Sequence, residues 1–281
     1  MKKIKTAKVN LNKVLEQMME WSEECGKILN YHLIKSYKGP LKIINKGSQG
    51  LATEADVLSE AYVMGQIKRH YPDHKILSEE DAFTRQLKME GVEDGEYLWL
   101  IDPLDGTNNF FNKIPLFAVS LALNKGNETL VGIVFNPVNR ETFYAIKGKG
   151  AWLIRVIGDK TIKVRLKSDT KKKVFKEALL SANLSSHRVE KDLVKRFPEV
   201  RAMRRLGSAA LEMSYVGAGM LDAYWEYKLQ PWDMAAAGLI CQEAGVKIST
   251  IKGGAYDPFS PSVLVSHPAL FTALKGVLNK N

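Results

Sequence analysis

Cysteine is almost missing from the 281 residues. Cys25 and Cys241 are the only two, too few and too scattered for a disulfide framework or a zinc site, so a reducing compartment with two core thiols is expected. No apolar run reaches the length needed to cross a bilayer. The Lys-rich start leads into an amphipathic pattern instead of the apolar block of a signal peptide, which makes a cytoplasmic protein without a membrane role the expectation. Internal repeats are lacking too. With 45% apolar residues the chain can bury a sizeable core. It is expected to form a single domain over residues 1–281, with an N-terminal α+β half to about residue 166 and a C-terminal α/β half from about residue 167.

Negative charge is scarce in one part of the chain and abundant in another. The formal net charge is +10, yet residues 51–110 carry 5 Lys/Arg against 13 Asp/Glu, and residues 145–206 carry 18 against 6. A basic surface can attract a polyanion such as RNA or steer an anionic ester inward. Lys160–Lys167 and Lys171-Lys172-Lys173 nevertheless read as solvated faces without interleaved aromatics, which favours plain solubility.

What is present is organised around Leu98-Trp-Leu-Ile-Asp102-Pro-Leu-Asp105-Gly-Thr107-Asn-Asn-Phe110. A buried strand here ends in two carboxylates three positions apart. Desolvated together they would repel each other, unless water or a cation lies between them. Hard oxygen ligands favour Mg²⁺, Mn²⁺ or Ca²⁺ over zinc. Pro103 bends the chain without leaving an orphan donor and can turn the Leu104 carbonyl to the same cation. Gly106 allows close backbone approach, and Thr107-Asn108-Asn109 opens a short helix whose free N–H groups suit a phosphate. Taken singly, Asp-Pro and Asp-Gly are ordinary turn dipeptides. The compound pattern, followed by a second apolar run from Ile114 to Leu123, is what points to a site.

Helical spacing of Leu11, Val14, Leu15, Met18, Cys25, Ile28, Leu29 and His32 predicts an N-terminal helix. A Lys46–Gly50 turn separates short extended pieces at 42–45 and 51–52, and Thr53 with Asp56 caps a second helix. Strand His74–Leu77 ends in Ser78-Glu79-Glu80-Asp81, again acids at a strand end, so Glu79 is expected to converge with Asp102 and Asp105. These acids are read as a loop, continued by a polar, protruding segment over Thr84–Glu96. Strands at Phe117–Asn124, Thr129–Asn136, Glu141–Ile146, Ala151–Ile157 and Thr161–Leu166 make an antiparallel meander. A strand Glu177–Ala182, a helix Arg188–Phe197, and a helix led by Gly207-Ser208 follow. Strand Asp222–Tyr227, a helix from Trp232-Asp233 to Gly245, strands 246–250 and 262–266, and helix Pro268–Leu278 complete the chain. Read alone, Ser208 is a helix cap, and Asp233 is an N-terminal acid contributing about 0.3–1 kcal/mol.

Asp102-Pro-Leu-Asp-Gly-Thr-Asn-Asn-Phe110 resembles the first signature of the inositol monophosphatase family, the Mg²⁺-dependent, lithium-sensitive phosphatases. Trp232-Asp233-Met-Ala-Ala-Ala-Gly238 with Glu243-Ala-Gly245 resembles the second, in the family's order. The resemblance implies an αβαβα sandwich of the inositol monophosphatase and fructose-bisphosphatase type, assembled as a homodimer. It implies a first Mg²⁺ on Glu79, Asp102 and the Leu104 carbonyl, a second on Asp102, Asp105 and Asp233, and a weaker third near Glu79, with Mn²⁺ able to substitute. Thr107 and Glu79 would activate a water, with Asp56 and a site-facing Lys46 just outside the metals. Gly106 and Thr107 would cradle the phosphate, while Asp105, Gly207, Ser208, Glu226 and Asp233 would meet the substrate, an inositol monophosphate or similar polyol or sugar ester.

Asn108 departs from the family's usual second threonine, and Val246 from its usual glycine; neither removes an implied ligand. Asn109-Phe110 leans towards the inositol branch over relatives acting on fructose 1,6-bisphosphate, NADP or 3′-phosphoadenosine 5′-phosphate. Arg204-Arg205-Leu-Gly-Ser-Ala-Ala and Gln230-Pro-Trp-Asp also resemble the bacterial SuhB-like branch, associated with transcription machinery and ribosomal RNA synthesis.

Overall fold

A computed structural model of the chain describes residues 9–45, 51–85, 93, 95–169, 174–183 and 199–279. Lys46, Lys171–Lys173, His187 and the expected helix Arg188–Phe197 lie outside these residues. Five layers alternate. Helices α1 (Leu11–Ser36) and α2 (Glu54–His70) cover one face of a seven-stranded sheet, β3 (Lys75–Ser78) through β9 (Lys160–Leu166), in the order β3-β4-β5-β6-β7-β8-β9. Helices α5 (Ala209–Gly217) and α6 (Pro231–Ala244) fill the middle layer. A five-stranded sheet, in the order β11 (Ala202–Arg204), β10 (Leu179–Asn183), β12 (Ala223–Tyr227), β14 (Ser262–Ser266) and β13 (Lys247–Ser249), and helix α7 (Pro268–Leu278) close the other side. This is the αβαβα sandwich that the sequence resemblance implied.

Strand alternation explains the layering. In β4 (Tyr97–Asp105), Tyr97, Trp99 and Ile101 pack with Val14, Met18, Trp21 and Ile67 of α1 and α2. Leu98 and Leu100 face the opposite cluster, with Ala235, Ala236 and Leu239 of α6. A strand nine residues long and buried throughout must be apolar on both faces, which is why it reads as a continuous run. On the α6 side the sheet is lined by small residues, Ala118, Ala122, Ala145 and Ala151, and Gly132 lets the helix come closest: a Cβ there would stand 2.8 Å from the Ala236 Cα.

The meander appears as expected, as β5 (Ala118–Lys125), β6 (Glu128–Asn136), β7 (Glu141–Ile146), β8 (Ala151–Ile157) and β9, all antiparallel. The hairpin β1 (Ile43–Asn45) and β2 (Leu51–Thr53) flanks the 46–50 turn.

Three readings need correction. The acids after Ser78 are no loop: Glu79–Arg85 is helix α3, with Glu79, Glu80 and Asp81 in its first turn, where acids favour the N-terminal end of the helix dipole. Lys160–Lys167 does not lack aromatics, since neighbouring strands supply them: the Lys163 ammonium lies 5.2 Å from the Trp152 ring centroid and 5.8 Å from that of Tyr144. The strand expected from Glu177 begins at Leu179 as β10 (Leu179–Asn183), because Phe175–Glu177 is a turn of 3₁₀ helix.

Candidate active site

The site grows from the ends of β3 and β4. The two strands are parallel, with Ser78 opposite Ile101, so the next residues, Glu79 and Asp102, emerge side by side at their carboxyl ends. Asp102 is 2% exposed, and its Oδ1 accepts from the Leu104 N–H at 3.0 Å. Pairing of β4 with β5 shifts register between Asp102 and Asp105, at Pro103, which cannot donate to the ladder.

Opposite Asp102 on β5 is Ser120, whose hydroxyl donates to the Trp232 carbonyl at 3.0 Å. That bond sets the start of α6, and Asp233 with it, against the β4 carboxylates. Asp233 accepts from the Gln230 N–H at 2.8 Å, so the capping role read from sequence is present.

Asp105 links β4 to the start of α5. Its Oδ2 accepts from the Ser208 hydroxyl at 2.6 Å and the Ala210 N–H at 2.7 Å, and its Oδ1 from the Ala209 N–H at 3.3 Å. Ser208 also caps α5, accepting from the Leu211 N–H at 3.4 Å. Gly106 and Gly207, both in the left-handed region (φ 99° and 84°), pass each other closely: a Cβ on Gly106 would lie 3.1 Å from the Gly207 carbonyl oxygen. Asn109 ties these turns together, its Nδ2 donating to the carbonyls of Leu116 and Leu206, each at 2.6 Å.

Thr107 begins α4 (Thr107–Phe111). Its hydroxyl lies 3.2 Å from the Leu104 carbonyl oxygen and 3.4 Å from Asp56 Oδ1. Asp56 caps α2 from within, accepting from the Thr53 N–H at 2.8 Å and the Thr53 hydroxyl at 2.5 Å.

The electrostatics are those of crowded, desolvated acids. Burial pushes Asp102 well above the usual carboxylate range, with Glu79, Asp105 and Asp233 adding to the rise. Burial likewise raises Asp233, with Asp105, Glu79 and Glu226 contributing. Asp105 is pushed up to about 7 by burial, against the pull of its Ser208, Ala209 and Ala210 donors. Asp56 also rises to about 7, from burial and then the charges of Glu80 and Glu79, opposed by Thr53. Among the described residues, no ion pair engages Asp102, Asp105 or Asp233. Among the described residues, no three His, Cys, Asp or Glu form a ready-made coordination cage. Asp105 and Asp233 turn oxygens onto backbone N–H groups, yet each carboxylate offers about four lone-pair positions. Hard oxygens in mutual repulsion, with no ion pair among the described residues to offset it, fit a hydrated divalent ion whose waters complete the shell.

Two acids belong to this region that sequence reasoning missed. Glu60 on α2 accepts from the Glu80 and Asp81 N–H groups at 2.9 and 3.0 Å, anchoring the first turn of α3 beside Glu79. Glu212 on α5, fully buried, accepts from the Leu206 and Gly207 N–H groups, each at 3.1 Å, and from the Ser181 hydroxyl. Their only sequence signal was an acid on the apolar face of a helix. Glu226, on β12 (Ala223–Tyr227), accepts from Asn183 Nδ2 at 2.6 Å and from the Tyr224 hydroxyl; burial, then Glu212 and Asp105, pushes it up to about 8.

A five-layer sandwich with acids gathered between its sheets defines the class, the fold of metal-assisted phosphoric ester hydrolases. Residues 10–280 match the inositol monophosphatase family, and the chain belongs to it. It is 37% identical over 254 residues to the chloroplastic phosphatase IMPL1 of Arabidopsis thaliana, matching 86% of this chain and spanning 64% of that protein's length. It is 36% identical to the Nus factor SuhB of Vibrio cholerae, over 89% of this chain and 91% of that one. The solved structure of Thermotoga maritima IMPase superposes with a TM-score of 0.80 at 30% identity, covering 95% of this chain and 97% of that one.

Proposed function

We propose that the protein is a Mg²⁺-dependent phosphomonoesterase acting on an inositol monophosphate or a closely similar polyol or sugar monophosphate. The observation that carries this reading is the gathering of buried Asp102 and Asp105 with partly buried Asp233, none of them in an ion pair among the described residues. Glu79, Asp102 and the Leu104 carbonyl would hold one Mg²⁺ and Asp102, Asp105 and Asp233 a second, with a third near Glu79 and Mn²⁺ as a substitute. Bound there, the cations supply charge neutralisation for the phosphate and its leaving oxygen and acidify a water.

The chain's own groups do the rest. Thr107, set between Asp56 and the Leu104 carbonyl, orients the attacking water, and Asp56 and Glu79 stand by to take its proton. The Gly106 and Thr107 N–H groups receive the phosphate. Gly207, Ser208, Asp105, Asp233 and Glu226 meet the alcohol half. No covalent phosphoenzyme is required. Lithium inhibition, a homodimer and a cytoplasmic setting accompany this reading; no helix among the described residues is long and apolar enough to cross a membrane.

A substrate panel with Mg²⁺ tests it: inositol 1-phosphate, fructose 1,6-bisphosphate, NADP and 3′-phosphoadenosine 5′-phosphate. Turnover of a nucleotide with none of inositol 1-phosphate would overturn the substrate choice. The Nus factor name carried by the Vibrio relative and the basic 145–206 stretch favour a second reading, a role with RNA or transcription machinery. An Asp105→Asn variant, dead as a phosphatase but still supporting the cellular function, would favour it.

A further inference from the structure

The carboxyl ends of the parallel strands β10 and β12 face the site, as ligand-bearing strand ends do in α/β sheets. There Asn183 stands directly opposite Glu226 in the ladder. Against an ionised Glu226, the state that can accept from substrate hydroxyls with both oxygens, the atom 2.6 Å from Oε1 is the amide nitrogen, because two acceptors at that distance would repel. The consequence falls on the other end of the amide: Asn183 Oδ1 is buried and has no hydrogen-bond partner among the described residues. An orphaned buried acceptor costs about 1–3 kcal/mol, and such a cost in a native fold calls for a reason.

Glu226 supplies one. Its Oε2 is held by the Tyr224 hydroxyl, and Tyr224 precedes it by two on the same strand face. With Nδ2 of Asn183 on the other oxygen, both carboxylate oxygens are pinned, yet each keeps a lone pair. Without Asn183 the carboxylate could pivot about the Tyr224 contact. Around it lie more acceptors, the carboxylates of Glu212 and Asp105. The negative charge of these acids around Glu226 favours neutral hydroxyl donors over a second phosphate.

We infer that Asn183 is a positioning residue that fixes the Glu226 carboxylate to accept from the hydroxyls of the substrate's alcohol half, and so sets selectivity for polyol monophosphates. The inference rests on the proposed phosphatase reading and deepens it. A site organised to receive a substrate hydroxyl rejects the analogue lacking it. Selectivity is then lost when the receiving group is no longer held.

The test compares wild type with Asn183→Ala on two esters in Mg²⁺: inositol 1-phosphate, and cyclohexyl phosphate, which has the ring but none of the hydroxyls. The ratio of their kcat/KM values should fall about tenfold, the loss appearing as a raised KM for the inositol ester. Asn183→Leu, close in size but lacking the donor, is the second variant should the alanine protein fail to melt cooperatively, and the same fall is expected. A ratio within about threefold of wild type in a folded variant overturns the inference and leaves the phosphatase reading standing. A wild-type protein that turns over neither ester overturns both.

Discussion

The Ser208 hydroxyl donates to Asp105 Oδ2 at 2.6 Å, joining the last residue of β4 to the cap of α5 across 103 positions of sequence. Ser208 thereby serves two ends at once, since its oxygen also accepts from the Leu211 N–H. Ser208→Ala removes a charge-assisted donor from a buried carboxylate, a loss of about 1.5–3 kcal/mol. Urea unfolding should show that loss, and kcat/KM should drop about tenfold or more. Ser208→Thr keeps the hydroxyl and should recover most of both. Equal damage from the threonine variant would show that side-chain volume, and not the hydrogen bond, is what matters at this position.

Asp102 poses the opposite case. Its neighbours Glu79, Asp105 and Asp233 all disfavour its charge, so Asp102→Asn relieves repulsion while keeping an oxygen for the Leu104 N–H. At neutral pH the metal-free variant should be more stable than metal-free wild type, because it no longer has to keep a buried, repelled carboxyl group from ionising. The variant should lose most of its thermal stabilisation by Mg²⁺ and nearly all of its activity. Melting curves with EDTA and with Mg²⁺ would show a destabilised apo variant if the four acids do not repel one another.

Stability without metal should also depend on pH in a defined direction. Glu60, Asp56 and Asp105 each rise to about 7 in the folded state, chiefly through burial, against about 4 in an unfolded chain. Below pH 4 both states hold the proton and no penalty exists. Between pH 4 and 7 the unfolded state ionises first, so these acids lower stability progressively as pH rises, with the full penalty present above 7. The net positive charge of the chain acts in the other sense, so the informative comparison is with Glu60→Gln. Between pH 5 and pH 8 the metal-free Tm of wild type should fall relative to that of the variant. Mg²⁺ should stabilise wild type more at pH 8 than at pH 5, because its ligands must shed protons to bind it. A difference between wild type and Glu60→Gln that stays constant across this range would show that Glu60 is not held protonated.

Much of this was legible in the residues because the strands announce themselves. The meander after Phe117 has alternating patterns and turn residues at its ends, and Leu98–Ile101 is too apolar for anything but a buried strand. The acids at the ends of β3 and β4 could be placed together from strand-end logic alone. Glu60, Glu212 and Asn183 could not, because their partners lie on other elements: the α3 first turn, the 206–207 turn and β12. A buried acid on a helix looks like a surface acid until the fold shows what covers it. The helix Glu79–Arg85 was misread for a related reason. Seven residues headed by three acids resemble a solvated loop, and only docking of their N–H groups on Glu60 makes the helical turn worthwhile.

Behind the site, where α6 meets the sheet, helix backbone packs directly on strand backbone. A Cβ at Gly132 would stand 2.8 Å from the Ala236 Cα and 2.9 Å from its carbonyl oxygen. Both are backbone atoms and cannot swing aside as a flexible side chain could. Gly132→Ala must therefore push α6 off β6, at a cost typical of overpacked cores, about 1–3 kcal/mol. The displacement also reaches the chemistry, because the same helix carries Asp233 in its first turn and is tethered to β5 by the Ser120 hydroxyl at the Trp232 carbonyl. The expected result is a lower Tm together with a weakened response to Mg²⁺, although residue 132 touches none of the four acids. Gly65→Ala, on α2 with nothing within 4 Å of the added carbon, is the control and should leave stability equal or slightly higher. A Gly132→Ala protein that melts and binds Mg²⁺ like wild type would mean that α6 does not hold Asp233 in place through its contact with β6.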